Sequence, residues 1–253
     1  MLIRASGSNS VALRPLRVSD NLELYPGGAA LLRDERVLVV ADMHLGCEAA
    51  LEYEGLSLPR MQTRKIGAYM DEIIEEVRPS RVVVAGDLKH NFSRNLVQEW
   101  DDVSRFVERL SGRVVLEVVK GNHDNFLGAI LSGFDIALRK EVVVGNTRVL
   151  HGHAGERVDG PMIIGHIHPS IRLSDSVGAS IKDHCYLWDP ERDTLVLPAL
   201  SIVAAGIDVV SSADVDSISP LLGRGGLASC HPIVFSGNKA LKFPTVRELR
   251  MNL

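Results

Sequence analysis

The chain has 253 residues, enough for one large domain or two small ones, and 45% of them are hydrophobic, material for a sizeable core. A net charge of −4 and a pI near 6.1 argue against the broad basic surface of a nucleic-acid coat. Cys47, Cys185 and Cys230 are too scattered for a disulfide framework or a Cys-x-x-Cys site, and no stretch approaches a signal peptide or the ~20 apolar residues of a membrane span, so the expectation is a cytoplasmic protein off the membrane.

In chain order, residues 1–36 read as short strands. Turn chemistry at Pro26-Gly27-Gly28 and Arg33-Asp34-Glu35 brackets the apolar segment Ala29–Leu32. Arg36 to Ala41 is a continuous apolar strand, buried on both faces, that runs straight into Asp42. Residues 45–59 form a loop or short helix ending at Pro59. Helical spacing of Ile66, Met70, Ile73, Ile74 and Val77 predicts a helix over 60–77, stopped by Pro79. Arg81–Ala85 is the next buried strand and ends at Gly86-Asp87. A helix follows over 96–111, with Val97, Trp100, Val103, Val107 and Leu110 on one stripe and Trp100 read as core; Ser93 or Asn95 offers a cap. Val114–Val119 then leads into Gly121-Asn122-His123-Asp124. Strand, helix, strand, helix, strand is the pattern of a parallel sheet with right-handed crossovers.

Beyond residue 125 the pattern turns antiparallel. Glu141–Val144 and Thr147–Leu150 flank Gly145-Asn146 as a hairpin, and Met162–Ile164, Thr194–Leu197 and Leu200–Ala204 are strand-like. Residues 211–253 give only weak signals. The reading is one α/β domain over 1–253, a four-layer-like sandwich of two packed mixed sheets flanked by helices. Its motif-bearing core is about 36–170, and 171–253 completes the second sheet and adds an irregular tail.

The polar residues gather where these strands end. Seven of the nine histidines fall in or beside Asp42-Met43-His44, Gly86-Asp87, Gly121–Asp124, His151-Gly152-His153 and Gly165-His166-Ile167-His168. Imidazole is a common metal ligand, and the donors beside it are oxygens from Asp42, Asp87 and Asn122. A His/Asp/Asn set without thiolate suits manganese, iron or zinc. Asp42 and His44 are expected to share one side of an extended segment, as are His166 and His168, with Ile167 facing the core. The donors outnumber the needs of one four-coordinate ion, which favours two ions with a shared carboxylate. Gly86, Gly121, Gly152 and Gly165 permit the turns.

The ordered set Asp-x-His, Gly-Asp, Gly-Asn-His-Asp, His-Gly-His and Gly-His-x-His resembles the calcineurin-like metallophosphoesterases over roughly residues 36–170. Ala41–Gly46, Gly86–His90 and Gly165–Pro169 are similar to a compact archaeal and bacterial branch, some members of which are described as DNA-ligase-associated. The resemblance implies that Asp42, His44, Asp87 and His168 hold one metal, and Asp87, Asn122, His151 and His166 the other. Manganese is preferred, with iron, zinc or nickel as alternatives. His123 would protonate the leaving group or steady the phosphoryl group, with Asp124 orienting its ring. His90 stands where many relatives carry an acidic residue. His90 and Lys89 are expected to face substrate, and Asn91 and Arg94 to help bind phosphate. His153 either contacts phosphate or hydrogen-bonds a loop, and Cys47 is a small, partly buried residue.

The implied activity is hydrolysis of phosphodiesters, with nucleotides or nucleic acids as partners and metal-activated hydroxide as nucleophile. A phosphomonoesterase or protein phosphatase is the alternative, and a non-catalytic scaffold of the same fold is the reading from a different class. The complete ligand set argues against the scaffold.

Overall fold

The strand Val37–Val40 is buried along its whole length because its two faces serve two cores. Leu38 and Val40 face one cluster, Val37 and Val39 the other, as the twofold period of a strand requires. The computed structural model describes residues 13–56, 58–93, 96–156, 159–174, 180–212, 217–223 and 225–252.

The first sheet follows the sequence without a skip: β1 (Leu16–Arg17), β2 (Leu22–Leu24), β3 (Ala30–Leu32), β4 (Val37–Val40), β5 (Arg81–Val84), β6 (Val115–Val119) and β7 (Leu138–Arg139). From β4 to β7 its pairs are parallel, and before β4 they are antiparallel. The second sheet runs β8 (Val142–Val144), β9 (Thr147–Leu150), β10 (Met162–Ile164), β14 (Thr194–Val196), β13 (Tyr186–Asp189), β16 (His231–Ser236) and β17 (Lys239–Lys242). A small third sheet pairs β11 (Pro169–Ser174) with β12 (Ser180–His184) and β15 (Ile207–Asp208). The expected hairpin at Gly145-Asn146 joins β8 to β9. The helices are α1 (Cys47–Tyr53), α2 (Gln62–Val77), α3 (Val97–Ser111), α4 (Leu127–Leu131) and α5 (Val246–Met251).

Three cores stack across these layers. The first lies between sheet one and the helices, with Ile66, Met70 and Ile73 of α2 and Val103, Val107 and Leu110 of α3. The second is the interface of the two sheets, where Val39 and Val83 meet Val149, Ile163 and Leu195. The third covers the far face of sheet two with Leu221, Leu222, Leu227 and Val246. The mixed α/β sandwich is therefore as expected, although α5 is the only helix contributing to the third core among the described residues. None of the described helices is long and apolar enough to cross a membrane.

Four expectations need correction. The buried face of α3 is Glu99, Val103, Phe106, Val107 and Leu110. Val97 is 82% exposed and Trp100 39%, so neither belongs to the core stripe. Leu200–Ala204 is not a strand; Leu200 and Ser201 donate their N–H groups to Ala41 and Asp42, and Ser201 Oγ then accepts from the N–H groups of Val203 and Ala204. The 211–253 region is not merely an irregular tail, since β16, β17 and α5 lie in it. Thr245 and Glu248 form a capping box at the start of α5, a signal written in the sequence as Thr-x-x-Glu. Asn95 lies outside the described residues, and α3 starts after Leu96 without a side-chain cap.

Candidate metal centre

The ends of β4, β5 and β6 and of β9 and β10 come together, so both sheets supply the site. The loops are knitted by backbone bonds. Asp42 donates to the Gly86 carbonyl at 3.0 Å, and His44 to the Asp87 carbonyl at 2.9 Å. His166 donates its N–H to Asp42 Oδ2 at 2.8 Å, and His123 its N–H to Asp87 Oδ1 at 2.8 Å.

The expectation of extended segments at Asp42–His44 and His166–His168 fails. Asp42 (φ 54°), His44 (φ 47°), Asp87 (φ 52°), His166 (φ 70°) and His168 (φ 48°) all occupy the left-handed region. Each such residue costs on the order of 1–3 kcal/mol, and such strain clusters at functional sites. Ile167 does point into the core, with no exposure. Gly86 (φ 89°) and Gly152 (φ 108°) supply turns closed to other residues. Gly121 and Gly165 instead allow close approach: a Cβ on Gly121 would lie 2.0 Å from Asp87 Oδ1, and one on Gly165 2.7 Å from Asp42 Oδ2.

Three groups of donor atoms result: Asp42, His44 and His168; Asp87, His151 and His166; and His44, His90 and His123, of which only the first two include a carboxylate. His44 Nε2 is 3.3 Å from His168 Nε2, which is 3.4 Å from Asp42 Oδ1. His151 Nε2 lies 3.1 Å from Asn122 Oδ1 and 3.3 Å from Asp87 Oδ2. His151 donates from Nδ1 to the Ala85 carbonyl at 2.9 Å, which leaves Nε2 for the site. Asp87 Oδ2 is also 3.9 Å from His44 Nε2, so it faces both carboxylate-bearing groups.

The electrostatics favour a bound cation. Burial alone would raise the carboxyls of Asp42 and Asp87, but the neighbouring histidines hold both below the usual range. Burial pushes His44 down to about 3 and His166 down to about 4, so both are neutral. His151 is also buried, yet Asp87 and Asp42 raise it to about 9. His168 is partly buried, yet Asp42 raises it too, so on these two rings protons take the place a cation would fill; ligands bind as ionised carboxylates and neutral imidazoles, and loading would release protons. Asp42 Oδ1 is buried with no hydrogen-bond partner, a costly state that a cation would relieve. The residues therefore fit divalent ions.

The other expected residues fall in different places. His90 Nδ1 is 3.4 Å from His44 Nδ1, and its ring stacks 5.6 Å from that of His123, so His90 does border the donors. His153 stands 5.1 Å from the His151 ring, with its buried Nδ1 unpartnered. Arg94 lies outside the described residues. Lys89 does not face substrate; it is fully buried and 3.5 Å from Glu99. Asn91 accepts from the N–H and hydroxyl of Ser93 through Oδ1. Cys47 is buried rather than partly buried, and burial together with Glu48 pushes its thiol up to about 12.

Asp124 does not orient the His123 ring. Its carboxylate accepts the backbone N–H groups of Asp87 (2.8 Å), Gly121 (2.8 Å) and Lys89 (3.2 Å). His123 Nδ1 instead lies 2.5 Å from the carbonyl of His90.

Two supporting residues went unread in the sequence. Gln62 donates to the Met43 and His44 carbonyls at 2.9 and 2.6 Å and accepts from Ser201 Oγ at 2.9 Å. Glu99 receives the N–H of His90 at 2.9 Å. Each is a polar residue on an otherwise apolar helical face, four residues before Ile66 and Val103 respectively, and that was the available signal.

Residues 35–193, more than half of the chain, match the family model described as calcineurin-like phosphoesterase. Among solved structures, the nuclease MPE of Pseudomonas putida is similar at 18% identity and a TM-score of 0.64, over 88% of this chain and 96% of that one. YfcE, a phosphoesterase from E. coli, is similar at 18% identity and a TM-score of 0.36, over 66% of this chain and 80% of that one. No curated protein matches. The first likeness is one of fold, and the second is too slight to carry an argument. The family match runs from β4 through β13 and so includes every strand that delivers a donor: this chain belongs to the calcineurin-like phosphoesterases.

Proposed function

We propose that the protein hydrolyses phosphodiester bonds, in nucleotides or nucleic acids, with two divalent ions, manganese being the one the family resemblance favours. The observation that carries this reading is the place of Asp87 Oδ2, 3.3 Å from His151 Nε2 and 3.9 Å from His44 Nε2. A carboxylate oxygen between two donor groups is suited to being shared. Asp42, His44, Asp87 and His168 would hold one ion, and Asp87, Asn122, His151 and His166 the other. When bound, such ions stabilise charge on the phosphoryl oxygens and make water nucleophilic near neutral pH.

The chain's own residues do the rest. His123 would donate a proton from Nε2 to the leaving oxygen, help worth ~10²–10⁴-fold, while its Nδ1 stays on the His90 carbonyl. His90 and His153, which border the donors, would contact phosphate oxygens, and Arg94 is proposed for the same task. The choice of nucleotide or nucleic-acid diesters takes its lead from the Pseudomonas putida nuclease whose fold the chain shares. Three buried, unbridged thiols support a cytoplasmic setting.

Purified protein with Mn²⁺ tests this on bis(p-nitrophenyl) phosphate, p-nitrophenyl phosphate and a single-stranded oligonucleotide. The expected result is turnover of the diesters, abolished by EDTA. Preference for the monoester would favour a phosphomonoesterase, and failure on all three would overturn the reading.

A further inference from the structure

With Asp124 engaged by backbone N–H groups, the His123 ring takes its orientation from the His90 carbonyl, 2.5 Å from Nδ1. A carbonyl only accepts, so Nδ1 keeps its proton throughout; the proton given to the leaving oxygen is a second one, on Nε2 of the doubly protonated ring, and its departure leaves the neutral Nδ1–H tautomer. The direction of this carbonyl is therefore a working part of the site. It belongs to a loop, residues 90–93, without regular secondary structure.

The peptide unit joining His90 to Asn91 has its N–H on Asn91, and that N–H donates to Glu99 Oε1. The same oxygen receives the His90 N–H at 2.9 Å. A trans peptide is planar, with its N–H and C=O pointing in opposite directions. Anchoring the N–H on Glu99 thus aims the C=O at His123. Glu99 Oε2 lies 3.5 Å from Lys89 Nζ, which also donates to the Asn91 carbonyl. Lys89 has no exposure and Glu99 has 1%, so this ion pair is shut away from solvent. Gly46 (φ 79°) lets the first turn of α3 approach: a Cβ there would lie 2.7 Å from Glu99 Cα.

We propose that Glu99 is a positioning residue for His123, acting through the 90–91 peptide plane to hold the His123 proton on Nδ1. Glu99 touches no reacting atom. Its effect on turnover rests on the reading of His123 as the leaving-group acid, whereas its effect on the tautomer does not.

The test uses full-length, ¹⁵N-labelled, Zn²⁺-loaded protein and long-range ¹H–¹⁵N spectra of the imidazoles. Glu99→Ala alone would strand the buried Lys89 charge and risk the fold. The informative pair is therefore Lys89→Met with Glu99→Leu, which removes charge and acceptor together, and Lys89→Met with Glu99→Gln, which restores an acceptor. In its neutral form the wild-type His123 ring should show one tautomer, protonated on Nδ1. The leucine variant should mix tautomers with both metals retained by elemental analysis, and the glutamine variant should return to the wild-type spectrum. In parallel, with Mn²⁺, the leucine variant should lose about 10²-fold on methyl phenyl phosphate. It should stay near wild type on methyl 2,4-dinitrophenyl phosphate, whose leaving group needs no proton. A single Nδ1–H tautomer in the leucine variant, or equal losses on both esters, would overturn the proposal. If the tautomer shifts as expected but wild type hydrolyses neither ester, the positioning role stands and the proposed activity falls.

Discussion

Asp124 accepts the backbone N–H of Asp87 through Oδ2, at 2.8 Å. Asp87 is held at φ 52°, a conformation its side chain does not favour, and the same carboxylate also ties down Gly121 and Lys89. The residue that follows His123 in sequence thus braces the backbone of Asp87, not the imidazole.

Asp124→Ala should therefore act on stability and metal content before chemistry. It leaves three buried N–H groups without their acceptor, at a cost of about 1–3 kcal/mol each, roughly 3–9 kcal/mol together. Urea unfolding and elemental analysis check this. A variant with normal stability and full metal but no turnover would return Asp124 to the catalytic role expected from the resemblance.

His123→Ala and Asn122→Ala should separate cleanly. Asn122 Oδ1 stands 3.1 Å from His151 Nε2, among the donors, whereas the His123 ring is anchored on a carbonyl. The first variant should keep both ions and lose roughly 10²–10⁴-fold in kcat. The second should weaken one ion. Metal titrations decide, and an emptied site in His123→Ala would show the assignment to be wrong.

Gln62→Leu should weaken the Asp42–His44 side of the site alone. Its amide holds the Met43 and His44 carbonyls, on either side of a residue at φ 47°, and its oxygen takes the Ser201 hydroxyl. Buried polar groups left unpaired cost about 1–3 kcal/mol each. The expected outcome is a lower melting temperature with loss of one ion in preference to the other, measured by calorimetry and metal titration. Equal retention of both ions would count against it.

Away from the donors, His184 predicts an acid sensitivity. Burial pushes its ring down to about 4, while Nε2 meets the Ala204 carbonyl at 2.9 Å. The folded value lies below the unfolded one of roughly 6.5, so between them the unfolded chain binds more protons. The contribution is complete above pH ~6.5 and falls as the pH drops towards about 4, by at most about 1.4 kcal/mol per pH unit. His184→Gln keeps a donor for Ala204 and does not titrate. Its stability should fall less steeply than wild type over this range in urea titrations, and parallel curves would refute the assignment.

Much of this molecule was legible in the chain alone. The apolar runs ending in Asp42, Asp87 and Asn122, with helices between them, dictate a parallel sheet whose strand ends share one edge. The ordered histidine and aspartate clusters pick out residues that the fold brings together, because chemistry depends on residue type and spacing carries it to strand ends. Other features depended on contacts between residues far apart in sequence. The twofold alternation expected for Asp42–His44 gave way to left-handed backbone, because bonds to Gly86 and Asp87, just past the end of the neighbouring strand, override local preference. Val97 and Trp100 share a helical period with Val103, but only the packed structure shows Glu99 on the buried face instead. The partners of Asp124, Gln62 and Glu99 are backbone groups, and a sequence does not reveal which peptide will need an acceptor. Residue types determined the chemistry available, and tertiary structure decided which atoms hold that chemistry in place.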